Sequence, residues 1–191
     1  GGVLSHAPRR EQSARMLIDS FLPEGITQLA VDSIFMMPQL GVMANIEKEE
    51  LSEEAKKAAF EVFEKDCLIH LGTCIAPSGN AKQNSVVLTA ELTLKNGNQE
   101  THKIQFGELL RIEVPFEPVN VKLTPGKGLD VGAGKNEQIE TIIYGGVVGI
   151  IFDGRGRPLE ISKDSKQRIN DLKSWSDAVN EYPNLNPNSK S

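Results

Sequence analysis

Val86, Leu88, Ala90, Leu92 and Leu94 alternate with Val87, Thr89, Glu91 and Thr93. Only a β-strand projects a period of two onto one face. Lys95-Asn96-Gly97-Asn98 follows. Asn-Gly is a strong hairpin signal, because a type I′ turn needs positive φ at both central residues. Ile104 and Phe106 resume the alternation on the return strand. The middle of the chain is thus committed to antiparallel β structure. Further strands are expected at Arg111 to Val114, at Val119 to Leu123 and, in two pieces, between Glu140 and Phe152.

Helical periodicity brackets this β-rich stretch. Ala14, Leu17, Ile18 and Phe21 have the spacing of a surface helix over Ala7 to Phe21, with Pro8 in its first turn. Pro23-Glu24-Gly25 breaks the chain, and Ile26 to Val31 reads as a short buried strand. Met36 to Ile46 reads as a buried helix. Leu51, Ala55, Ala58, Ala59, Val62 and Phe63 predict an amphipathic helix over Lys48 to Lys65. From Asp164 a helix resumes: Asp164 is an N-cap candidate with Gln167 three positions on, and Ile169, Leu172, Trp175 and Val179 share a face. Tyr182 to Ser191, rich in Pro, Asn and Ser, reads as a disordered tail.

Composition excludes several partners. A net charge of −5 argues against nucleic acid or an anionic membrane, since both need clustered Lys and Arg. The longest apolar stretch, Ile139 to Phe152, carries Glu140 and three glycines and is too short and broken to span a bilayer. Two cysteines do not make a disulfide framework. The economical reading is a cytoplasmic chain.

Four segments invite a chemical reading. Gly1-Gly2 with Ser5 and Arg9 or Arg10 is either a plain turn or a backbone approach to adenine and ribose, with a guanidinium on the base. Gly126 to Lys135 is glycine-rich but fails the P-loop pattern, having Leu129 where Gly is needed and Asn136 where Ser or Thr is needed. Asp153-Gly154-Arg155-Gly156-Arg157-Pro158 follows an apolar run. Arg155 and Arg157 either grip a phosphate or a partner's carboxylate bidentately, or pair locally with Asp153 in a tight turn. Cys67, His70 and Cys74 offer soft ligands, but strand geometry would alternate their directions and no fourth ligand is evident, so no metal is expected. His6 and His102 lack the companions of a nucleophilic triad.

Taken together, Gly1 to Pro8, Asp32 to Gly41, Leu71 to Pro77 and Gly145 to Leu159 resemble the C-terminal region of the methylaspartate (glutamate) mutase accessory proteins. These are the MutL proteins of glutamate mutase operons, unrelated to mismatch repair. The family is placed with the actin/Hsp70-like ATPases. The resemblance implies an α/β plus β chain: residues 1–64 as the C-terminal part of an actin-like (ribonuclease H-like) lobe, residues 65–181 as a β-rich subdomain closed by a helix, and 182–191 as tail. It further implies the C-terminal piece of a longer protein that reactivates an adenosylcobalamin-dependent mutase using ATP, with the mutase subunits as partners. The phosphate-binding hairpins and metal-binding carboxylates of such ATPases lie in the earlier part of the fold. ATP affinity of this chain alone is therefore expected to be weak or nil, with no metal of its own and no catalytic residue. Gly1, Gly2, Ser5 and Arg9 become the nucleotide contacts, and Arg155 and Arg157 the partner or anion contacts. Two rival readings are the C-terminal part of a sugar-kinase-like phosphotransferase and an interaction domain without a working nucleotide site.

Overall fold

A computed structural model describes residues 2–47 and 49–182. Gly1 and the expected tail from 183 onward lie outside the described residues. The elements in order are α1 (Arg10–Phe21), β1 (Gly25–Asp32), α2 (Met37–Ala44), α3 (Glu53–Val62), β2 (Leu68–Ala76), β3 (Val86–Thr93) and β4 (Gln99–Gln105). There follow β5 (Leu109–Ile112), β6 (Pro118–Pro125), β7 (Ile139–Tyr144), β8 (Gly149–Asp153) and α4 (Ser165–Ala178).

The strands form two four-stranded sheets. The first has the order β1-β2-β8-β5 and is mixed, because β2 and β8 run parallel while both edge pairings are antiparallel. The second, β4-β3-β6-β7, is antiparallel throughout. Ile75, Ile150 and Phe152 of the first sheet pack with Leu88, Leu92, Ile104 and Leu123 of the second in one core. On the other face of the first sheet, Ala14 and Ile18 of α1 meet Leu71, Cys74 and Ile151, with Trp175 and Val179 from the α4 end. The result is three layers: helices, mixed sheet, antiparallel sheet.

Burial follows this layering. β8 sits in the middle layer and is buried at every position, whereas β6 alternates buried Val119, Val121 and Leu123 with Asn120, Lys122 and Thr124. The buried Thr73 hydroxyl donates to the Tyr144 carbonyl oxygen at 2.7 Å, tying the two sheets together. Between β2 and β8 the backbones meet without side chains. Gly72 has φ 136°, and a methyl group there would overlap the Gly149 carbonyl.

Several sequence expectations change. The division at residues 64 and 65 runs through a sheet, since β1 pairs with β2 from Gly25–Ala76 to Asp32–Leu68. α1 and β1 also share a core with α4. Met36 to Ile46 is not a buried helix, because only Leu40 of α2 is buried. The Asn96-Gly97 hairpin is present, but only Gly97 has positive φ. Its N–H donates to Leu94 O and Leu94 N–H to Asn98 O, a type I turn closed by a glycine bulge rather than type I′. At the start of β3 a register shift leaves Val87 and Leu88 both buried and Val86 exposed, so the period-two face begins at Leu88. The α4 cap matches expectation, with Asp164 Oδ1 accepting from Gln167 N–H at 2.8 Å. Ile169 and Leu172, however, are exposed.

Candidate functional site

The strand β8 ends on Asp153, whose carboxylate is buried and surrounded by cations. Arg155 binds it bidentately, Nε to Oδ1 and Nη2 to Oδ2, both at 2.8 Å. Arg157 Nη2 adds a third bond to Oδ2 at 2.8 Å, while its Nε donates to the Pro23 carbonyl at 2.9 Å. Arg155 Nη1 lies 2.8 Å from Asp19 Oδ1 as an ion pair without aligned hydrogen-bond geometry. Asp19 also holds Arg15 at 2.7 Å. Both guanidinium carbons stand over the Trp175 ring, 5.7 Å (Arg15) and 5.1 Å (Arg155) from its centroid. The indole N–H donates to Gly107 O at 2.8 Å.

This charged knot joins α1, the segment before β1, the end of β8 and α4. The side chains of Arg155 and Arg157 are 0% and 1% exposed. They present no free cationic surface, which corrects the partner or anion role expected of them. The local pairing with Asp153 prevails because a buried carboxylate needs compensation and the loop supplies two arginines within four residues. Burial alone would raise the Asp153 pKa, but hydrogen bonds and charge from Arg155 and Arg157 outweigh it and hold the group below the usual carboxylate range. Burial, with Asp153 nearby, pushes the Cys74 thiol well up, so it remains a neutral core group.

The N-terminal segment is also occupied by its own contacts. Gly2–Leu4 forms a single helical turn with Gly2 at φ 66°. The Ser5 hydroxyl is buried and donates to Gly2 O at 3.0 Å, and Arg10 Nη1 donates to Ser5 O at 2.7 Å. Arg9 caps α1 and turns toward Glu11 Oε1 at 3.0 Å and Asn180 O at 3.4 Å. The structure thus brings Ser5 onto Gly2, while Arg9 turns its Nη2 to Glu11 and Asn180. Gly1 lies outside the described residues.

In the glycine-rich loop, Asp130 Oδ1 accepts from the N–H groups of Gly132 (2.7 Å) and Gly134 (3.0 Å). These bonds lower the Asp130 pKa and turn the loop's donors onto its own carboxylate. Cys67, His70 and Cys74 do not converge. Among the described residues, no group of three or more His, Cys, Asp or Glu side chains could hold a metal ion. No helix there is long and apolar enough to cross a membrane.

What sequence reasoning missed is that the helical arm between β1 and β2 stands open. The expected amphipathic helix exists, and of its apolar face Phe63 is buried while much of the rest is open. Ala55, Ala58 and Val62 are exposed. With α2 it frames an apolar cleft of about 420 Å³ lined by Met36, Leu40, Met43, Ala59, Val62 and Phe63, among others. Asp32 fixes the arm's root: it is buried and accepts from Ile34 N–H (3.2 Å) and Met37 N–H (2.8 Å). Burial would raise its pKa, but these backbone donors bring it below the usual value. Beside α3 lies a second cleft where the His70 and Phe116 rings stack at 4.3 Å.

The fold and its surface define a mixed α/β chain with two small sheets, a terminal helix and an open helical arm. Searches of family models, curated proteins and solved structures give no match for the chain.

Proposed function

We propose that this chain is the C-terminal, non-catalytic module of a cytoplasmic, ATP-dependent reactivating chaperone for an adenosylcobalamin-dependent mutase, glutamate mutase or an aminomutase. In this reading the N-terminal part carries the end of an actin-like lobe, and an exposed surface meets the mutase. One observation carries the reading beyond sequence resemblance. Two of the four blocks that bear the resemblance are spatial neighbours: Leu71 to Pro77 and Gly145 to Leu159 lie side by side through the parallel β2–β8 pairing. The test is capture of the mutase by the intact protein, followed by ATP-dependent recovery of inactivated mutase. Failure to bind the mutase would defeat the proposal.

A second reading, an interaction domain with no nucleotide site, is favoured by one specific feature: Ser5 and Arg9 are engaged internally. Calorimetric titration of ATP into the intact protein and its Gly2→Val variant separates the two. The leading reading predicts binding that the variant weakens, because valine disfavours φ above zero. The rival predicts no binding by either.

A further inference from the structure

Residues 33 to 67 carry an unusual share of open apolar surface: Ile34 53%, Met37 50%, Val42 70% and Val62 55% exposed. Of these Val62 lines the cleft between α2 and α3, whose wall is almost wholly apolar, with Gln39 and Cys67 the polar members. The loop that joins the two helices, and so closes one end of the cleft, is rich in glutamate. The loop between the helices and the first turn of α3 bring Glu47, Glu49, Glu50, Glu53 and Glu54, all exposed. Lys56, also there, is buried and already bound by Ile46 O at 2.5 Å and Glu53 at 3.1 Å.

We propose that the α2–α3 cleft docks an amphipathic helix of a partner protein, with cationic residues flanking its apolar stripe. A cleft between two helices accepts a third through apolar anchors at i, i+3, i+4 and i+7. Met36 and Met43 supply adaptable walls of the kind that accommodate varied anchors. The acidic end supplies orientation and steering, which an uncharged partner would not use. It also disfavours an anionic membrane surface, which the carboxylates repel. A small ligand would find few polar groups to fix it. This proposal is independent of the mutase reading.

The test uses the full chain and two synthetic amphipathic helices of about 18 residues, five turns. Both carry the same leucine stripe; one has lysine on its polar face and the other glutamate. Fluorescence anisotropy should show the lysine peptide binding at least about tenfold tighter, with the advantage shrinking severalfold between about 50 and 300 mM salt. Val62→Lys, at an exposed helical position, should reduce that binding about tenfold or more while the circular dichroism stays unchanged. Glu49→Lys with Glu50→Lys should erase the preference between the peptides. Equal affinity for both peptides, undiminished binding by Val62→Lys, or no binding of either overturns the proposal. So does self-association by sedimentation that Val62→Lys abolishes, since the occupant is then a second copy. Binding to phosphatidylglycerol vesicles that Val62→Lys removes would overturn it in favour of a lipid surface.

Discussion

The knot at Asp153 and the arm of α2 and α3 handle burial in opposite ways. At the knot, five charged side chains (Arg15, Asp19, Asp153, Arg155 and Arg157) are linked by ion pairs of 2.7–2.8 Å, four of them buried. At the arm, apolar side chains stay in water although a core lies nearby. The first costs desolvation and recovers it through geometry; removing Asp153 leaves the buried Arg157 without its ion-pair partner. The second leaves hydrophobic free energy unclaimed, and the docking proposal rests on that open surface. At the knot charge serves internal structure, whereas at the arm apolar surface is left open.

The largest effect should come from Asp153→Ala, which strands two buried guanidinium groups. A loss of about 3–5 kcal/mol is expected in urea unfolding, and a loss under about 1 kcal/mol would break the contrast. Trp175→Ala removes the ring beneath Arg15 and Arg155 and leaves a cavity, at a cost of about 3–5 kcal/mol; its effect should be less than additive with Asp153→Ala, because the two share Arg155. Acid sharpens the same point. The folded Asp153 pKa is depressed below its unfolded value of about 3.9. The stability it supplies is therefore complete above that value and lost as pH falls through the lower folded one. Unfolding free energy should fall steeply below about pH 4, and Asp153→Asn should flatten that part of the profile. Asp164→Ala, which removes only the α4 cap, should cost about 1 kcal/mol. Smallest of all, Val62→Lys on the arm should shift stability by no more than about 0.5 kcal/mol, measured in the same denaturant series.

What could be read in the sequence divides along the same line. The second sheet was legible because one face is solvated, so β3 and β6 alternate and Asn96-Gly97 marks the turn. In the first sheet β1, β5 and β8 were expected close to where they lie, but β2 was not, because a strand covered on both faces has no alternation to mark it. Gly72 further disguised β2, although its absent side chain is what lets β8 approach. At the candidate site, local sequence offered both roles for Arg155 and Arg157 and could not choose. The deciding partners, Asp19, Trp175 and the Pro23 carbonyl, lie far away in the chain. An Arg15–Asp19 spacing of i, i+4 was the available clue, but it marks any surface helix pair. The arm illustrates the reverse: periodicity predicts which face of α3 is apolar, but says nothing of what covers it.

The central claim is that the two arginines after β8 are interior structural groups rather than recognition groups. Equilibrium unfolding of the Arg155→Ala, Arg157→Ala double variant tests it most directly. Removing both cations takes three of four hydrogen bonds from the buried Asp153 carboxylate and should lower stability by at least about 3 kcal/mol or prevent cooperative folding. A variant within about 0.5 kcal/mol of the parent would show the arginines to be solvated, and would return them to the role of surface contacts.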